Sequence, residues 1–360
     1  MRTPIIALVA SAATLLCPAS LPAQWQPQTS GTTAELRGLS VPAPGVVWAS
    51  GTRGRYVRTT DGGRRWMVDS VAGAGTLDLR AVQALDARRA WVMSAGEAQQ
   101  GQARMYATSD AGAHWALVFD TTLTGVFLDA IAFWDARHGI ALSDPVNGQL
   151  FLLTTDDGGR RWTRVPPEHL PPTLPGEAAF AASGSCLTIQ GRGNAWIGTG
   201  GGARARVFRS TDRGRSWRVA DTPVHAGGAS SGIFSVAFRD ARHGIVVGGD
   251  YQQPAARLHN VALTDDGGAT WRLARGPFPA GYMSAVAYVQ NAPRISDAVA
   301  TRAAPRVVAV GLAGTALSRD GGESWSMVDT VAYNGVAFVS AVEGWAVGPR
   351  GKVARWRGRP

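Results

Sequence analysis

Short apolar runs recur along the chain in a fixed order. A run such as LDAIAFW, FSVAF or NGVAFV leads into a tight polar corner, spelled DARHG at residues 135–139 and 240–244 and DARRA at 86–90. A second run follows, as AWVMS, GIALS, AWIGTG, GIVVGG, VVAVG or GWAVG, and a third (MYATSD, LFLLTTD, VFRSTD) carries the chain into a glycine-containing corner. A tryptophan ends that corner and opens a fourth run. Runs of this length, rich in branched and aromatic residues and bounded by Gly, Asp and Ser, read as β-strands. Four antiparallel strands in each unit of roughly fifty residues is the pattern of a propeller blade.

The corner before the fourth run obeys one rule, Ser/Thr-x-Asp-x-Gly-x-x-Trp, six times. It occurs as Thr59/Asp61/Gly63/Trp66, Thr108/Asp110/Gly112/Trp115, Thr155/Asp157/Gly159/Trp162, Ser210/Asp212/Gly214/Trp217, Thr264/Asp266/Gly268/Trp271 and Ser318/Asp320/Gly322/Trp325. Successive tryptophans are 49, 47, 55, 54 and 54 residues apart, a regularity that chance does not produce. The carboxylate can accept backbone N–H groups within the turn, and glycine permits a positive φ. The indole then offers a large apolar plate for packing between sheets. Six corners mark six blades, and NGVAFVSAVEGWAVGPRGKVARW supplies three strands of a seventh. The missing outer strand is expected from the segment around Trp25, which would close the ring and leave no exposed edge to pair with other chains. The expectation is all-β: one seven-bladed propeller over residues 24–360.

Composition agrees. Hydrophobic residues make up 45% of the 360, enough for a core, and 45 glycines and 13 tryptophans suit many tight turns and regularly placed plates. Residues 1–23 read as a signal peptide: Arg2, an apolar run from Ile5 to Leu16, and Leu21-Pro22-Ala23 as a cleavage site. That run is too short to span a bilayer, so the expectation is export to the periplasm or exterior after cleavage near Ala23. Leu16 before Cys17 argues against lipidation at that cysteine. Cleavage would leave Cys186 alone, without a disulfide partner, in an apolar stretch that suits a buried small hydrophobe. The net charge of +10 comes from scattered arginines, Lys352 being the sole lysine, and forms no basic run. Nucleic acid is therefore not an expected partner.

Repeats such as TTDGGRRW and SRDGGESW, with GWAVG between them, resemble the Asp-box (BNR-type) propellers related to the photosystem II stability/assembly factor; the box also occurs in sialidase-type and sortilin-type domains. The resemblance covers essentially all of residues 24–360. It implies a propeller and scaffold behaviour, but the box is shared by unrelated activities. Relatives of this type carry glycosyl-hydrolase or oxidoreductase labels, and each label makes a demand on the residues. A sialidase-like site needs an arginine cluster, a Tyr–Glu pair and an aspartic acid. Beyond the signal peptide there are six glutamates, Glu35, Glu97, Glu168, Glu177, Glu323 and Glu343, and the arginine–isoleucine–proline stretch of sialidases is missing. General glycoside hydrolysis would need two facing carboxyls, for which Asp144 with Glu177 or Asp250 are the candidates. No GxGxxG opens a helix, and no CxxCH or HExxH is present; GTGGG at residues 198–202 lies between strands. No cofactor, metal site or catalytic residue is expected. His138 and His243, at equivalent turn positions, read as structural.

Loop length locates a site. In a four-stranded blade the first-to-second and third-to-fourth turns share one face. The second-to-third turns and the blade-to-blade links share the other. The long segments AGEAQQGQA, SDPVNGQ, TGGGARA, GGDYQQPAA and residues 166–184 belong to the second face; residues 291–305 are the exception. Asp144, Asn147, Glu177, Arg204, His225, Asp250, Tyr251 and Gln252 are therefore expected to line a recessed site at one mouth of the channel. The occupant would be a protein segment or glycan, bound without catalysis by a monomer.

Overall fold

The computed structural model describes residues 24–289 and 304–358. Its strands form seven sheets of four antiparallel strands each. Blades 1 to 6 are consecutive, spanning residues 36–70, 78–120, 128–164, 187–221, 231–273 and 283–329. Blade 7 comprises Gly335–Phe338, Gly344–Val347 and Val353–Trp356, with Trp25–Gln28 as its outermost strand. The N-terminal strand pairs Trp25 with Trp356 and Gln28 with Val353. Closure by the chain's own start is the seven-bladed architecture that the repeat count implied. The first strand of every blade touches its counterparts in the neighbouring blades, blade 7 meeting blade 1, so these strands form the inner wall of the ring.

The repeated corner has one geometry in all six copies. The Ser/Thr hydroxyl accepts the glycine N–H at 2.8–3.1 Å and donates to the aspartate Oδ1 at 2.7–3.0 Å. The same Oδ1 accepts the backbone N–H four residues on, at 2.9–3.0 Å. The glycine is obligatory: Gly63 has φ of 84°, and a Cβ there would lie 2.7 Å from the Trp345 ring. Each corner is also tied to its blade's first turn by one backbone bond, such as Gly158 N–H to Arg137 O and Gly267 N–H to Arg242 O, both 2.8 Å. The two turn types therefore do share a face. His138 and His243 donate through Nδ1 to Asp135 and Asp240 of their own DARHG turns, which fits their structural reading.

Each corner tryptophan packs on the preceding blade. Trp66 meets Trp345 of blade 7 edge-on at 5.6 Å, and Trp115 meets Trp48 and Tyr56 of blade 1 at 6.2 and 5.3 Å. Trp162, Trp217, Trp271 and Trp325 join the apolar clusters of blades 2 to 5 in turn. Trp25 completes the series by packing on blade 6, where its Nε1 donates to Thr315 Oγ1 at 3.0 Å. The core is thus a ring of interfaces between sheets, with apolar side chains of adjoining blades interdigitated.

The expected signal segment lies outside the described residues, as does nearly all of the 291–305 insertion. Among the described residues no helix is long and apolar enough to cross a membrane.

Candidate functional site

The inner strands carry a feature that the repeat alone did not reveal. In blades 1, 2, 3, 5 and 6 the pairing of first and second strand slips by one residue at the same place, between Leu36/Gly38, Leu79/Ala81, Leu128/Ala130, Ile233/Ser235 and Met283/Ala285. Such a bulge leaves one residue unpaired and re-aims it. The five residues are Arg37, Arg80, Asp129, Phe234 and Ser284. They converge on one segment, residues 178–186, the link that leads into blade 4.

That segment fills the long-connection end of the channel. Arg37 Nη1 donates to Ala182 O at 3.3 Å, and Ser183 Oγ donates to Ser284 O at 2.9 Å. Phe180 stacks on Phe234 with centroids 4.0 Å apart, and Gly184 sits so close to Ala81 that a Cβ would come within 2.8 Å of it. Ser185 bonds Ser235 at 2.8 Å. Ala182, Phe234 and Tyr282 form a small buried cluster with Phe180 against it. The chain plugs its own channel.

The eight predicted residues do fall at this end, over blades 3 to 5, but several face inward to build the plug rather than outward to a partner. Glu177 has a fully buried side chain; Arg206 clamps it through Nη2 and through Nε at 3.0 Å. It also accepts the Thr199 hydroxyl at 2.5 Å and the Leu174 N–H at 2.8 Å. Asp144 Oδ1 accepts the Ala179 N–H of the plug at 2.9 Å. Asp250 is buried and accepts Gln252 N–H at 2.9 Å and Gln253 Nε2 at 3.2 Å, pinning its own turn. Asn147 is exposed at the tip of blade 3 with φ of 56°. Arg204 is exposed and ion-paired with Asp221. His225 is half-buried, its N–H bonded to His259 O at 2.8 Å. Tyr251 is 45% exposed, with its ring braced edge-on by Phe180 and Phe234 at 6.5 and 6.1 Å; Gln252 beside it is exposed. Of the eight, Tyr251 alone stands exposed against the plug, with Gln252 beside it; Asn147, Arg204 and the half-buried His225 lie on separate connections of the same end.

The bulge residues and the plug escaped the sequence reading. Their signal is the recurrence of apolar–x–small–apolar at the start of each inner strand, LRGL, LRAV, LDAI, IFSV and MSAV, where x is the residue aimed into the channel.

Electrostatics separate the two ends. In the corner turns, the His114 N–H, its imidazole and the Thr108 hydroxyl hold Asp110 down at about 2. At the plug the opposite holds: burial lifts Asp129 well above the carboxylate range, and burial lifts Asp144 to about 6 against the Ala179 hydrogen bond. Among the described residues no three His, Cys, Asp or Glu side chains are grouped to hold a metal. On the turn face, a cleft of about 370 Å³ lies between blades 3 and 4. It is bordered by Trp134, Thr154, Asp156, Arg161, Arg213 and Arg215.

No protein-family model matches the chain, and no curated protein matches it in sequence. Solved structures do match. YCF48 bound to a D1 peptide is 17% identical with a TM-score of 0.60, covering 96% of this chain and all of that one. YCF48 from Cyanidioschyzon merolae is 16% identical with a TM-score of 0.64 over 93% of this chain and 99% of its own. An ancestral GH74 enzyme is 13% identical with a TM-score of 0.60, over 93% of this chain but only 46% of its own. The chain is a seven-bladed β-propeller whose fold is similar to that of YCF48.

Proposed function

We propose that this protein is a non-catalytic propeller that captures an extended segment of a partner protein at its long-connection end, over blades 3 to 5. The observation that carries the reading is the exposed Tyr251 ring, held rigid by Phe180 and Phe234 beside the closed mouth. A pre-ordered aromatic with polar neighbours loses little entropy on contact and is a common binding anchor. Gln252 follows Tyr251 in the chain, and Asn147, Arg204 and His225 carry polar groups on other connections of the same end. That a similarly folded propeller holds a D1 peptide supports a peptide as the occupant. Glycoside hydrolysis has less support, because Asp144, Glu177 and Asp250 already serve backbone N–H groups, and Glu177 also an arginine and a hydroxyl. Turnover of a fluorogenic glycoside that disappears in Glu177→Gln would reverse that ranking.

A second reading rests on the cleft between blades 3 and 4, where Arg161, Arg213 and Arg215 outnumber Asp156 and Asp157 and would suit an anionic segment. Binding of library-selected peptides separates the two. Tyr251→Ala should weaken binding at least tenfold if the mouth is used, whereas an Arg161→Ala/Arg215→Ala pair should do so if the cleft is used. We also infer export as a monomer, which N-terminal sequencing of the secreted chain and its sedimentation test.

A further inference from the structure

The plug rests on two acidic groups that lack a counter-ion of their own. Asp129, the bulge residue of blade 3, is 1% exposed, and among the described residues no donor meets either of its carboxylate oxygens in full hydrogen-bond geometry. Asp144 sits at a second bulge, between Ser143 and Pro145, and holds the Ala179 N–H. The backbone N–H groups of Ala181 and Asp144 favour the ionised form of Asp129 only weakly against burial, and the Asp144 N–H is already committed to Phe127 O at 3.0 Å.

The surrounding charges do not neutralise the pair. From blade 2, Arg80 approaches Asp129, but its guanidinium is bound to Asp78 at 2.7 Å. From the connection after blade 2's second strand, Glu97 adds a further negative charge near Asp144. From blade 1, Arg37 is held by Glu35 at 2.6 Å; from the plug's own start, Glu177 is neutralised by Arg206. The Cys186 thiol at the plug's end is buried and kept protonated by burial and by these same carboxyls. Two ionised carboxylates against one stretch of backbone repel each other, and Asp129, unlike the half-buried Asp144, is cut off from water.

We propose that Asp129 and Asp144 form a proton-dependent latch on the channel plug: with a proton held by the pair, residues 178–186 stay seated, and loss of that proton loosens them and opens the mouth. A protonated Asp129 is neutral and can donate its O–H, while Asp144 keeps the Ala179 N–H. Without the proton, the pair must separate or admit water, and the plug backbone is the movable wall. The sign follows from linkage: groups raised in the folded state stabilise it at low pH, and that contribution fades as pH rises through their folded values. Asp144, raised to about 6, is ionised first, and burial together with that neighbouring charge holds the remaining proton on Asp129, so the plug is released above pH 6.

The test is amide hydrogen exchange of the plug, read by mass spectrometry from about pH 5 to about pH 8 and corrected for the intrinsic chemical rate. Protection of peptides covering 178–186 should fall about tenfold or more across that range in the wild type, the equivalent of one unit of pKa displacement. Amides of Ala116–Asp120 in blade 2 should not change. In Asp129→Asn the plug should remain protected throughout. A flat wild-type profile, or the same pH dependence in Asp129→Asn, overturns the proposal. Should Asp129→Asn not fold, Asp144→Asn provides the same readout, since its amide oxygen still accepts the Ala179 N–H while the pair loses its titration. No partner enters the experiment, so its outcome is independent of the peptide-binding reading.

Discussion

Replacing Trp25 by alanine strikes the ring at the junction of its two ends. The side chain is 4% exposed, its ring lies 5.0, 5.8 and 6.3 Å from those of Trp356, Tyr333 and Phe338, and its Nε1 is bonded to Thr315 Oγ1 across the blade 6 boundary. A buried indole removes roughly 200 Å² from water, worth about 5 kcal/mol at 25 cal/mol per Å². Truncation of a buried tryptophan to alanine costs about 3–5 kcal/mol in measured cores. Because the strand is short and at the terminus, part of the loss appears as local fraying of blade 7, so the lower figure is the better guide. Urea unfolding of the variant should show a loss of about 3 kcal/mol, with blade 7 amides exchanging first. Met67→Ala, a truncation on the 37% exposed face of blade 1's outer strand, is the control and should change little. A Trp25→Ala loss below about 1 kcal/mol, within the scatter of surface substitutions, would refute closure by this strand.

Other consequences follow from individual contacts. Ser318→Ala removes a buried hydroxyl that accepts from Gly322 and donates to Asp320, both at 2.8 Å, and should cost about 1–3 kcal/mol in thermal or urea unfolding. Glu177→Gln leaves Arg206 buried without its counter-charge and should cost about 3 kcal/mol while raising exchange in the plug. The acid limb of the stability profile should come from the turn carboxylates: Asp110, Asp135 and Asp266 are held at about 2, below the unfolded value of about 4, so their contribution is complete above pH 4 and is lost as pH falls towards 2. A chain that unfolds in acid without passing through that window would contradict the turn geometry.

The fold was legible because its cause is local and repeated. A hydroxyl, a carboxylate, a glycine and an indole at fixed spacing specify a corner by hydrogen bonds within five residues, and six copies fix the ring. Closure by Trp25 was legible for the same reason, as the seventh indole in a series. The site was only partly so. Loop length points to the long-connection end, where Glu177, Asp144 and Asp250 lie, but length cannot tell a residue that faces solvent from one that braces its own loop. Glu177 is clamped by Arg206 across 29 positions of sequence, and Asp144 meets Ala179 across 35. The plug depends on bulges, which arise from pairing between strands and leave only the faint apolar–x–small–apolar trace in the sequence.

The claim that the outward surface over blades 3 to 5 binds a protein segment is tested most directly by selecting peptides from a random fifteen-residue library on the folded protein. Their affinity would then be measured for the wild type, for a Tyr251→Ala/Arg204→Ala pair and for the Arg161→Ala/Arg215→Ala pair. Selected peptides should bind and lose at least about tenfold, or 1.4 kcal/mol, only in the first variant, whose unfolding matches the wild type. Peptides that bind the first variant undiminished, or that are lost only in the second, would contradict it.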